Sequence, residues 1–230
     1  MKTATHASRA IQMMEILHDP RYNAIYDNFL GDLIKDEYDA AKTNGTSAAL
    51  SVTASQLTLT SGTDDNGYAG FGPSATLWKG DNGVYFESQQ SLSSLTTQKM
   101  EIGLSDSSQD AGAVATKSTP TGTADDFCVL VFDTDDNTEF DLISEIDNGG
   151  PVANAEDVYT LVAGTDFITE FKMQNDNVAV YVNATHVGSG SMQGGDLCTP
   201  WFFTQSRASS SSGVLTVEYL FACGGSGIAA

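Results

Sequence analysis

Two periods of apolar and polar residues divide the chain. Tyr22, Ile25, Tyr26, Phe29, Leu30, Leu33, Ile34 and Tyr38 fall at offsets 0, 3, 4, 7, 8, 11, 12 and 16. That spacing draws one apolar stripe along a helix of 3.6 residues per turn. Asp19-Pro20 supplies a start signal, with Asp as N-cap and Pro at the first helical position. Gly45 stands just past the run, where a C-terminal glycine is expected. Ile11, Met14 and Leu17 suggest a shorter helix ending near His18. The pattern predicts an α-helical leader over residues 1–45.

From Asn44 onward the period falls to two. Leu50-Ser-Val52-Thr-Ala54 and Leu57-Thr-Leu59-Thr alternate apolar and polar residues, as half-buried strands do. The spacing predicts further strands at Thr76–Lys79, Gly83–Ser88, Gln98–Leu104, Phe127–Asp133, Glu139–Glu145 and Val158–Leu161. Others follow at Ile168–Met173, Ala179–Asn183, Trp201–Gln205 and Leu215–Ala222. Clusters of Gly, Asp, Asn and Ser separate them, among them Gly62–Gly67, Gly80–Gly83 and Asp147–Gly150. About ten to twelve strands fit one antiparallel sandwich over residues 46–222. Residues 223–230, with Gly224-Gly-Ser-Gly227, read as a flexible tail.

Charge sharpens the division. Thirty acidic against ten basic residues give a formal net charge of −20 over 230 residues. The first 43 residues hold five basic and seven acidic side chains, a net of −2, so the rest carries −18. No segment concentrates Lys and Arg, which disfavours nucleic acid and an anionic membrane surface as partners. No apolar run follows the N-terminal basic residues, so a signal peptide is not expected, and no window is apolar enough for a membrane-spanning helix. Cys128, Cys198 and Cys223 are odd in number and far apart, as free thiols of a reducing compartment are.

Several segments of the β region, in order, resemble the concanavalin A-like lectin/glucanase superfamily, a jelly-roll sandwich also seen in laminin G-type domains. Val84–Glu87 followed by Gln98–Asp106 looks like the family's paired strands. Phe167–Met173 followed by Asn175–Asn183 looks like its hairpin, and Thr199–Phe203 with Leu215–Tyr219 like its final pair. The resemblance implies a mainly β fold, an antiparallel jelly roll carrying the helical leader. In composition and leader the chain also resembles virion structural proteins of tailed bacteriophages that decorate the capsid surface.

Retaining glucanases of the superfamily use a strand reading E-x-D-x-x-E or E-x-D-x-E, which brings two carboxyls about 5 Å apart. The nearest string here is Glu145-Ile-Asp147-Asn-Gly149-Gly150, where glycine takes both candidate places of the second glutamate. Asp141 shares a face with Glu145 but lies on its other side, where hairpin solvation accounts for it. Hydrolysis of β-glucans is therefore not expected, and no catalytic residue is assigned. Asp133-Thr-Asp135-Asp-Asn137 opens like a calcium loop, yet Thr138 and Ser144 replace the required Gly and Glu. An acidic hairpin tip is the better reading, with calcium elsewhere on the fold left open and no cofactor assigned. His6, His18 and His186 are too dispersed to read as a site. Tyr68, Phe71, Trp78, Tyr85 and Phe86 suit either a sugar-stacking platform or the core, and core suits most of them.

The leading expectation is a non-enzymatic virion surface protein, made in the host cytoplasm. Its apolar helix (Tyr22, Ile25, Tyr26, Phe29, Leu30, Leu33, Ile34, Tyr38) would form the interface of a homo-oligomer or dock on other capsid proteins. The alternative is a lectin-like module that binds a glycan without catalysis.

Overall fold

The computed structural model describes residues 22–30, 38–73, 78–106 and 112–225. In chain order the strands begin with β1 (Tyr22–Asp27), β2 (Tyr38–Asn44), β3 (Ala49–Thr53), β4 (Gln56–Thr60), β5 (Tyr68–Pro73) and β6 (Trp78–Lys79). A 3-10 turn at Gly80–Asn82 leads to β7 (Val84–Leu92), β8 (Gln98–Ser105), β9 (Val114–Thr116), β10 (Thr121–Gly122), β11 (Phe127–Asp133) and β12 (Asn137–Glu145). The series ends with β13 (Val152–Thr160), β14 (Phe167–Gln174), β15 (Asn177–Val182), β16 (Thr185–Ser191), β17 (Leu197–Ser206) and β18 (Val214–Gly225). Among the described residues there is no α-helix.

Two large antiparallel sheets and one small hairpin, β9–β10, account for these strands. The first sheet runs β16-β15-β14-β7-β18-β4-β3, and β1 also pairs with β18. The second runs β13-β12-β11-β8-β17-β5-β2, with β6 also on β17. Between them lies the main core, in which Phe86, Phe171 and Phe202 interlock with Leu57, Ile102, Leu130 and Val180. Strands such as β11 are buried on both sides. Cys128, Leu130 and Phe132 face that core, while Phe127, Val129 and Val131 belong to a second apolar cluster on the outer side. The period-two reading thus places most of the strands, and the antiparallel sandwich of the jelly-roll type stands.

The leader is where expectation and structure part. Tyr22–Asp27 is a strand whose six residues pair with Leu220–Gly225 of β18. On the same side of β18, β4 covers only Val214–Val217. Without β1 the far half of β18 would present an open edge, with its amides and carbonyls unmatched. Pairing satisfies that edge, and it outweighs the modest intrinsic preference for a helix. The strand ends in an Asx turn: Asp27 Oδ1 accepts from Phe29 N at 2.7 Å, and Phe29 takes φ 52°, which no α-helix tolerates. That turn drops Phe29 into the core, edge-on to Phe71 at 6.3 Å.

The eight interface residues therefore do not share a helix face. Ile25 packs on the core, while Tyr26 and Leu30 are exposed. Tyr22 starts β1 and Tyr38 starts β2, a strand that pairs with β5. Leu33 and Ile34 lie outside the described residues, as do His6, His18, Asp19-Pro20 and the expected helix over Ile11–Leu17. Gly45, at φ 111°, turns the chain out of β2 rather than capping a helix. Of the expected tail, Cys223, Gly224 and Gly225 are strand, completing β18 against β1, and residues 226–230 lie outside the described residues. β2, β5, β9, β10 and β16 are further strands that the periodic reading did not place.

Candidate functional site

The outer face of the second sheet is covered by residues 112–124. Here Glu101, fully buried, accepts from Ala113 N at 2.6 Å, Val114 N at 3.0 Å and Trp201 Nε1 at 3.2 Å. Lys99 Nζ sits 2.7 Å from the same carboxylate and donates to the Val114 carbonyl. Gly112 must be glycine: at φ 85° its missing Cβ would stand 2.5 Å from Glu101 Oε1. Lys117, also buried, donates to Asn137 Oδ1 and to the Glu139 carbonyl at 2.8 Å, and lies 3.5 Å from Asp141 Oδ1. Phe127, Val129, Val131, Ile143, Trp201 and Phe203 pack beneath this cover. Every charge named on this face is matched by the chain itself.

The string considered for glucanase chemistry falls at the end of this face and does not assemble. Glu145 is the last residue of β12, buried, with Oε1 accepting from Gly150 N at 2.9 Å. Asp147 lies beyond the strand in an exposed turn at φ 52°, its amide bound to Asp126 Oδ1. Asp141, expected to be solvated, is buried beside Lys117 and accepts from Asp157 N. The calcium-like string forms the tip between β11 and β12, where Asp133 is buried and clamps Arg207 by Nε at 2.9 Å and by Nη2. Among the described residues no group of three His, Cys, Asp or Glu is placed to hold a metal ion.

The outer face of the first sheet differs. Strand register lines up His186, Tyr181, Glu170, Glu87, Phe221 and Tyr26 across six strands, each the cross-strand partner of the next. The neighbouring row reads Ser189, Ala179, Lys172, Tyr85, Cys223 and Ala24. Such partners stand close enough to act together. The Tyr85 hydroxyl donates to Glu87 Oε2 and lies 3.3 Å from Glu170 Oε2, so one phenol bridges two buried carboxylates. Tyr219 donates to Glu87 Oε1 at 2.6 Å. Lys172 Nζ is 3.1 Å from Glu170 Oε2 and lies over the rings of Tyr181 at 4.2 Å and Tyr85 at 5.7 Å. His186, on β16, meets the edge of Tyr181, with ring centroids 5.2 Å apart.

Beside these rows opens a cavity of about 340 Å³, walled by Asn82, Tyr85, Lys172, Gln174 and Cys223. Its size falls within the range of small-ligand clefts, about 300–1,000 Å³. Gly83, at φ 74°, turns the chain at the rim, held by its amide to the Gly80 carbonyl. Burial pushes the Cys223 thiol up to about 11. Burial, then the Asp106 carboxylate, pushes Cys198 up to about 12, and burial alone carries Cys128 higher still. All three stay protonated at neutral pH, and none is in a disulfide.

Of the five rings weighed as a sugar platform, Phe71, Trp78 and Phe86 are core, and Tyr68 stacks on Phe203 at 5.6 Å. Tyr85 alone of the five reaches the cavity. Sequence reasoning missed Glu87, Glu170, Lys172, Tyr181 and Tyr219. The alternation within each strand marks them as outward, but their convergence depends on register between distant strands.

No protein-family model matches the chain, and no curated protein matches it. Solved structures do. A prokaryotic β-1,3-1,4-glucanase (lichenase) derived from a mouse hindgut metagenome superposes with a TM-score of 0.59 at 11% identity, over 87% of this chain and 98% of that one. The carbohydrate recognition domain of Emp47p gives 0.60 at 11% identity, over 88% and 95%. A protein of unknown function from Shewanella oneidensis MR-1 gives 0.60 at 12% identity, over 100% and 98%. Catalytic and carbohydrate-recognising proteins thus share this architecture, and at such low identity the likeness speaks for fold alone. The chain has the jelly-roll fold of the concanavalin A-like lectins and glucanases.

Proposed function

We propose that this protein is a lectin-like module that binds a glycan at the outer face of its first sheet without cleaving it. The observation that carries the reading is the convergence of Tyr85, Lys172, Gln174 and Asn82 on one open cavity beside two tyrosine-bound carboxylates. Ring faces match the apolar faces of sugars, and amides and an ammonium match their hydroxyls. The likeness in fold to a carbohydrate recognition domain supports the reading. The absence of catalysis is argued from Glu145 and Asp147, which part company at the end of β12. The virion reading finds no support among the matched structures, and the described part of its helix is two strands and a turn.

A glycan array probed with the full chain tests the proposal, with Tyr85→Ala and Tyr181→Ala as variants. Retention of a defined set of glycans, lost in both variants while their melting curves persist, is the expected result. No glycan retained, or retention untouched by both substitutions, overturns it. Release of reducing ends from a β-glucan would overturn the non-catalytic part.

A further inference from the structure

The basic side chains are unevenly spent. Lys99 and Lys117 are fully buried in ion pairs, and Arg207 is clamped on Asp133 with 11% of its side chain exposed. Among the basic side chains that the structure describes, Lys79 and Lys172 alone stand in solvent. Lys172 stands on β14 of the first sheet, and Lys79 ends β6, which pairs with β17. Lys172 lines the cavity, and Lys79 directly precedes the Gly80–Asn82 turn, whose Asn82 lines it too. On a chain of net charge −20 these two exposed cations share their ground with Asp81 in the turn and with Glu170, which pairs with Lys172.

Lys172 is also held in place. Its ammonium touches Glu170 Oε2 at 3.1 Å and lies over two tyrosine rings, while 45% of the side chain remains exposed. An ammonium has three protons, and Glu170 takes one direction only. The rings fix the flexible stem, which lowers the entropy lost when an anion arrives. The protein's overall negative field is screened beyond about 8 Å at physiological salt, so contact chemistry at the cavity decides.

We infer that the cavity selects an anionic sugar, a hexuronate or a sulfated unit, and that Lys172 fixes its charged group. This rests on the carbohydrate reading above. Lys172 is a specificity residue: the Tyr85 ring takes the sugar face, and Gln174 and Asn82 are placed for its hydroxyls.

Calorimetric titration separates this inference from the reading beneath it. The probes are tri-galacturonate, its methyl ester, a sulfated galactan oligosaccharide and its desulfated form, each titrated into the full chain and into Lys172→Met and Lys172→Arg. One charge-assisted hydrogen bond predicts that one acidic probe binds about tenfold or more tighter than its neutral counterpart. Which acid shows the gap tells uronate from sulfate. Lys172→Met should erase the gap by weakening the acidic probe far more than the neutral one, and Lys172→Arg should keep most of it. Equal binding of acid and neutral forms, or a gap that survives Lys172→Met, overturns the inference and leaves the module reading standing. No binding of any of these probes, together with an empty glycan array, overturns both. Lys172→Arg keeps the ion pair with Glu170 and should melt close to the parent, and a cooperative melting curve is the folding control for both variants.

Discussion

Glu101 on one outer face and Glu87 on the other are both buried carboxylates, each accepting hydrogen bonds from an aromatic side chain. Around Glu101 the partners are Lys99, Trp201 and two amides of a covering hairpin segment. Around Glu87 they are two tyrosine hydroxyls, one of which reaches on to Glu170 and lines a cavity. The contrast marks where polar groups serve structure and where they border a candidate site. Once the chain supplies every partner and a lid besides, the charge serves only to hold the lid. Around Glu87 the row of partners runs on to Tyr85 and Lys172, which line a cavity.

The largest effect is expected from removing what both faces share. A fragment of residues 46–222 lacks β1 and β2, so β18 and β5 each lose a paired neighbour, and Phe29 leaves the core. Two or more apolar side chains and a run of ladder hydrogen bonds are worth about 5 kcal/mol or more. For a domain of this size that lowers the melting temperature by roughly 10–20 °C. Calorimetry of fragment and full chain reads the difference. A fragment melting within a few degrees of the parent would mean that the sandwich is complete without its first two strands.

Next comes the closed face. Glu101→Ala strands Lys99 in the interior and frees two cover amides, which should cost about 3–5 kcal/mol. Limited proteolysis should then cut within residues 112–124, which the parent protects. Replacing both charges, Lys99→Met with Glu101→Leu, should recover much of the loss, since a buried pair is often no better than apolar residues of similar volume. A double variant as unstable as the single one would show that the amides of the cover, not the charge pair, set the cost. On the open face the matching change is milder. Tyr219→Phe removes one donor from Glu87, a cost of about 1–2 kcal/mol by denaturant titration, with no new protease site.

The two faces also differ in how far the sequence disclosed them. The strands of the sandwich were legible because Leu57/Leu59, Val178/Val180 and Leu215/Val217 alternate cleanly with polar residues. β11 was legible as a continuous apolar run, as a doubly buried strand must be. The leader misled because its apolar residues repeat at three and four, while the edge of β18, some 200 residues away in sequence, demanded a strand. β5 and β16 were hidden by glycines, Gly70, Gly72, Gly188 and Gly190, which pack under Trp201 and against Cys128 and so break the alternation. The candidate site was least legible of all. Tyr85 was singled out, but Glu87, Glu170, Lys172 and Tyr219 become neighbours only through the registers of β14, β7 and β18.

The smallest expected effect concerns the thiols, and it sharpens the contrast between open and closed ground. Cys223 lines the cavity, whereas Cys128 lies under Gly190 within the sandwich. Burial raises Cys223 to about 11, so at pH 7 it is almost wholly the unreactive thiol and labels slowly. As pH rises through 9 toward 11, thiolate appears first at Cys223, then at Cys198, whose value is about 12, and last at Cys128. Labelling with a small thiol reagent, read by mass spectrometry on the native protein, should follow that order. The sign for stability follows from the same shifts. Because the folded state keeps its protons where the unfolded chain gives them up, these groups leave stability unchanged below about pH 9 and lower it as pH climbs further. A glycan seated in the cavity should slow the labelling of Cys223 and leave the other two rates alone. Protection of all three would mean that the ligand tightens the whole sandwich, and protection of none would place the ligand away from this cavity.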